Sequence, residues 1–93
     1  MPHFDVRKYK EIEWSVRFTT REGRTYKIVP VSDQMLKQID AIAAMSLSRG
    51  EIQNARLAIF TGSEASEFSR MDYREKTVIL RYIADMIGVA RFN

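Results

Sequence analysis

Residues 12–19 alternate bulky apolar and polar side chains without interruption, with Ile12, Trp14, Val16 and Phe18 in one phase and Glu13, Ser15, Arg17 and Thr19 in the other. A period of two marks a half-buried strand. Thr20, Arg21, Glu22, Gly23 and Arg24 come next, Gly23 suits a positive φ, and residues 25–29 resume strand chemistry with Tyr26 and Ile28 in the apolar phase. The economical reading is an antiparallel hairpin. Its inner face carries Ile12, Trp14, Val16, Phe18, Tyr26 and Ile28, and its outer face carries Glu13, Ser15, Arg17, Thr19, Thr25, Lys27 and Val29. A lone two-stranded ribbon is marginal in water, so the rest of the chain has to cover that inner face.

Beyond the ribbon the pattern turns helical. Pro30 closes the second strand, Ser32 can cap the amides of Gln34 or Met35, Val31 can pack on Leu36, and Asp33 puts negative charge in the first turn. Met35, Leu36, Ile39, Ile42 and Ala43 then recur at helical spacing, predicting a helix over 33–46. Ser48 and Glu51 form a second capping-box pattern, flanked by Leu47 and Ile52. Residues 52–60 read either as a helix or as a short helical turn followed by a third strand over 56–61, with Leu57 and Ile59 on one face. The strand is favoured here because the hairpin lacks edge partners.

Residues 62–69 are small and polar and read as a loop anchored by Phe68; Ser69 and Asp72 resemble an N-cap. Beyond it, Met71, Val78, Ile79, Tyr82, Ile83, Met86 and Ile87 keep helical spacing up to Gly88, predicting a long C-terminal helix over 70–87. Glu75 is a polar exception within the stripe, and Leu80 and Ala84 fall outside it. Residues 89–93 form a short tail carrying Phe92, while Phe4, Val6 and Tyr9 suggest an earlier strand or packed arm. The expected fold is therefore α+β, a short antiparallel sheet packed against two or three helices, in a single domain over 1–93 with room for a mobile N-terminal arm.

Composition limits the chemistry. At 93 residues one core can bury about 65% of the unfolded surface, which leaves no room for a second domain. The chain has no cysteine, so disulfides, thiolate metal sites and cysteine nucleophiles are excluded, and a cytoplasmic setting is expected. No apolar run approaches the length of a membrane span, so no membrane partner is expected. His3 is the single histidine, and its neighbour Asp5 does not complete a preorganised metal site; the pairs Asp33 with Asp40 and Glu64 with Glu67 are explained by caps and solvated surface. No GxSxG elbow or P-loop is present, and the four glycines fall singly at element boundaries. Catalytic residues, cofactors and metals are accordingly expected to be absent, although an acid or base among Glu13, Asp72, Tyr73, Glu75 and Tyr82 would leave no signature.

Two binding readings remain. The wide apolar surface of the last helix, with Ile79, Leu80, Ile83, Met86 and Ile87 at its centre, points to a small non-catalytic protein–protein interaction or assembly module, with self-association as a dimer among its forms. The alternative is a nucleic-acid-binding or regulatory module. The net charge is +3, and residues 1–31 hold seven Lys/Arg against four acids while residues 32–93 hold eight of each. Arg17, Arg21, Arg24 and Lys27 would supply the phosphate contacts. Glu11, Glu13 and Glu22 interrupt that field, and the aromatics alternate onto the inner face, away from any base.

Overall fold

The computed structural model describes residues 2–8 and 15–87, and the expectations for Tyr9, Ile12, Trp14 and the tail at 89–93 lie outside them. The described chain runs through a 3₁₀ turn at Val6–Lys8, strands β1 (Arg17–Thr19) and β2 (Thr25–Lys27), and helices α1 (Asp33–Ala43) and α2 (Arg49–Thr61). A second 3₁₀ turn at Ala65–Phe68 then leads into α3 (Tyr73–Met86). The class is α+β.

The hairpin forms in the register its alternation demands, with Arg17 opposite Lys27, Phe18 opposite Tyr26 and Thr19 opposite Thr25. Gly23 adopts φ 90°, and the Thr20 amide donates to the Arg24 carbonyl at 2.8 Å to close the turn. At the open end the Ile28 amide donates to the Val16 carbonyl at 2.9 Å, so the ladder outlasts the named strands by a residue. Val16, Phe18 and Ile28 are buried and pack with Leu57, Phe60, Phe68, Ile79 and Ile83 in one core. Phe18 stacks on Tyr26, and Tyr26 meets the ring of Phe68.

The third strand is not formed: residues 56–61 are the last turns of α2. Its Ser48–Glu51 capping box closes in both directions, and Gly62 ends the helix at φ 72° with its amide on the Ala58 carbonyl. A segment capped at both ends gains more by continuing as helix than by breaking into a short turn and a short strand. The sheet stays two-stranded, and α2 meets the ribbon through one main-chain bond instead. The Val29 amide donates to the Phe60 carbonyl at 2.8 Å, joining the ribbon's exit to one of α2's terminal carbonyls.

Helix boundaries shift inward from their sequence expectations. The first helix stops at Ala43 because the amides of Ala44 and Met45 tighten onto the carbonyls of Ala41 and Ile42, and Ser48 must be extended to cap α2. The last helix starts at Tyr73, since Asp72 rather than Ser69 is its cap; the Ser69 hydroxyl donates instead to the Ser66 carbonyl at 2.8 Å. Phe68 is the anchor expected of residues 62–69 and is fully buried.

Two cross-helix hydrogen bonds fix the arrangement of α2 and α3. The Arg49 guanidinium donates to the Tyr73 hydroxyl at 3.3 Å and the Gln53 amide nitrogen to Thr77 Oγ1 at 2.9 Å. Both pairs are 24 residues apart, so the helices run in the same direction and residues 62–72 carry the chain back between them. The near end of this seam is polar and includes Lys76, buried to 4% exposure, whose ammonium donates to Asn54 Oδ1 at 2.7 Å. Its far end is apolar.

Candidate functional site

The apolar end of the seam opens into a groove. Leu36, Ile39 and Asp40 of α1 form one wall, Arg56 and Phe60 of α2 the floor, and Leu80 and Ala84 of α3 the other wall, with Ile87 closing the end. Its volume is about 500 Å³. It exists because α1 is strongly amphipathic yet packs lightly: only Ile42 is buried, while Met35, Leu36 and Ile39 keep part of their surface. Arg56 runs along the floor with its Nε buried and without a hydrogen-bond acceptor among the described residues. Asp40 is exposed on the rim.

The five C-terminal residues expected to form an interface do not share one surface. Ile79 and Ile83 are 7% and 0% exposed and belong to the core. Leu80, Met86 and Ile87 are partly buried and pack against that core, and Leu80 and Ile87 also line the groove. The surface is therefore built by three helices, and Leu36, Ile39, Asp40, Arg56, Phe60 and Ala84 are the members that sequence reading did not assign to it. For Arg56 and Phe60 the usable signal was the spacing of Gln53, Leu57 and Phe60 between a capping box and Gly62, which is helical.

The four basic residues of the hairpin are also divided. Arg17 and Lys27 face each other across the ribbon on its exposed side. They stand between the hydrogen-bonded pairs, where opposed side chains approach most closely. Arg24 is occupied: its guanidinium reaches Glu67 at 3.4 Å and lies 5.6 Å from the Tyr26 ring centroid. Arg21 turns toward α3, where its amide donates to Glu75 Oε2 at 2.7 Å. Glu75, the polar exception in the α3 stripe, thus ties the hairpin turn to the helix.

Arg21, Arg24, Tyr26, Glu67, Asp72 and Glu75 meet in a polar cleft of about 380 Å³ between the hairpin turn and the start of α3. Its groups are largely spent on one another. Glu67 accepts from both Arg24 and the Tyr26 hydroxyl, and burial, followed by that hydrogen bond to an anion, raises the Tyr26 pKa. Asp72 accepts from the side chain and amide of Arg74, which hold its carboxyl well below the usual range. A carboxylate held ionised by cations is suited to electrostatic anchoring more than to proton transfer at neutral pH.

Among the described residues, no helix is long and apolar enough to cross a membrane. In comparison with known proteins, no family model, curated protein or solved structure matches this chain.

Proposed function

We propose that the protein is a non-catalytic interaction and assembly module that associates with a second copy of itself through the groove between α1 and α3. The supporting observation is the pairing of an incompletely covered apolar surface with two opposite charges that do not meet. Asp40 and Arg56 line the same groove, yet they form no ion pair with each other, and the buried Arg56 Nε has no acceptor among the described residues. A two-fold interface must be self-complementary, and a patch carrying one charge of each sign satisfies that condition. The lightly packed α1 ridge, with Leu36 and Ile39, would enter the partner's groove while each Asp40 meets the partner's Arg56.

Sedimentation equilibrium across concentration tests this directly. Asp40→Arg and Arg56→Asp each weaken dimerisation by at least about tenfold, about 1.4 kcal/mol, and the double variant restores it. Circular dichroism confirms that each variant is folded. A wild-type chain that stays monomeric at about 1 mM overturns the proposal.

A second reading has its own support in Arg17 and Lys27. Like charges directly opposed on a strand pair are destabilising, and a phosphate seated between them would relieve that repulsion. For nucleic acid this pair predicts weak, sequence-independent binding with a salt slope of about −2. Titration with duplex and single strands at two salt concentrations decides it, since no binding at low salt rejects the reading.

A further inference from the structure

The groove between α1 and α3 opens toward the chain's own continuation. Ile87 is both the C-cap of α3 and the residue that closes the groove's end, so residues 88–93 start at its mouth. Gly88 falls at the position where a glycine lets a helix finish in a left-handed turn that folds the chain back over its last turn. In such a turn the residue after the glycine packs against the one five positions earlier, which here sets Val89 against Ala84. Ala84 is part of the groove's wall.

The reach and charge of the segment agree with that direction. Leu80 lies about 6 Å along α3 from Ala84, and Phe92, three residues beyond Val89, reaches up to about 10 Å further. That brings it to Leu36, Ile39 and Leu80, apolar side chains that keep part of their surface. Residues 88–93 carry one cation, Arg91, and no acid. The groove has one charge of each sign, but the two are not equally placed. Asp40 is exposed on the rim, whereas Arg56 is half-buried on the floor with its Nε enclosed. An incoming cation therefore meets the carboxylate first.

We infer that residues 88–93 fold back along α3 into this groove, with Val89 and Phe92 on its apolar walls and Arg91 beside Asp40, and that they compete there with the second copy. The docking stands on the position, reach and charge of the segment; the competition rests on the dimer reading of the groove. A tethered segment meets its groove at every protein concentration, while a second copy enters only as concentration rises. Because each copy's α1 ridge enters the other's groove, both grooves must be cleared. A segment that fills its groove about two-thirds of the time then weakens dimerisation about tenfold.

The test uses the full chain. Wild type labelled uniformly with ¹³C is mixed with unlabelled wild type, and isotope-filtered NOE spectra separate contacts within one chain from contacts between chains. The Phe92 ring is expected to contact the methyl groups of Ile39 and Leu80 of its own chain. No such contact, or contact only between chains, overturns the inference. In sedimentation equilibrium Phe92→Ser dimerises about tenfold more tightly than wild type, with circular dichroism confirming the fold. Unchanged or weaker dimerisation by the variant overturns the competition. If both proteins stay monomeric at about 1 mM while the contacts within the chain are present, the dimer reading fails and the docking stands.

Discussion

Gln53 is a residue whose burial outruns its bonding. Its amide nitrogen donates to Thr77, but its Oε1 is buried without a donor, and Thr77 already donates to the Tyr73 carbonyl at 3.0 Å. Gln53→Met removes the unsatisfied oxygen while leaving the Thr77 proton engaged. Urea denaturation is therefore expected to show a gain of about 1 kcal/mol. Glu51 is the opposite case, an exposed carboxylate whose whole role is a bond. It accepts from the Ser48 amide at 3.0 Å, and that bond lowers its pKa from the ordinary 4.5. A lowered folded pKa means the unfolded chain takes up the proton first, so this stabilisation is present above 4.5 and is lost as pH falls through the folded value. Ser48→Ala, which removes the hydroxyl that accepts from the Glu51 amide, costs about 1 kcal/mol at neutral pH. The urea midpoints of Glu51→Gln and wild type should converge as the pH drops below that range.

Two glycines sit at opposite ends of α2 and answer to opposite rules. Gly62 holds φ 72° as the helix's left-handed cap, and a Cβ there would also lie 3.4 Å from Val29 Cγ1. Gly62→Ala should cost about 1 kcal/mol and loosen the bond between Val29 and Phe60. Gly50 lies in the first turn, where an added Cβ meets only Lys76 Nζ at 3.9 Å. Gly50→Ala should gain about 0.5–1 kcal/mol. Thermal melts of the two variants displaced in opposite directions would confirm that α2 is one continuous capped helix. The third strand expected over residues 56–61 failed because those residues satisfy both periods: Leu57 and Ile59 alternate, but Leu57 and Phe60 also sit on the face defined by Gln53. Short apolar runs do not separate the two periods, and the caps on either side do.

At the scale of the whole molecule the hub is Phe68. It lies in a 3₁₀ turn of only four residues, yet it is fully buried and joins the hairpin through Tyr26 to the helical core. Phe68→Ala should cost about 3–5 kcal/mol and broaden the unfolding transition, because it uncouples the ribbon from the helices as well as leaving a cavity. The proposed surfaces depend on the same assembly. The groove with Asp40 and Arg56 exists only because α2 and α3 run side by side in one direction and α1 lines the same space. The polar cleft beside the hairpin turn likewise exists only because Glu75 draws that turn onto α3.

The range of each interaction decides how much of this was legible beforehand. The hairpin register, the Ser32 and Ser48 caps and the buried role of Phe68 are written within a few residues of one another, as alternation, capping spacing or one large apolar group among polar neighbours. The parallel packing of α2 and α3, the use of Arg24 by Glu67, and the tie between the Arg21 amide and Glu75 depend on pairs 24 to 54 positions apart. The division of the last helix's apolar residues between core and groove rests on the same distant packing. Local sequence therefore determined which segments were amphipathic and where most of them began. Only the tertiary structure decided which faces were consumed in burial and which stayed open, because an amphipathic stripe specifies that it must be covered but not by what.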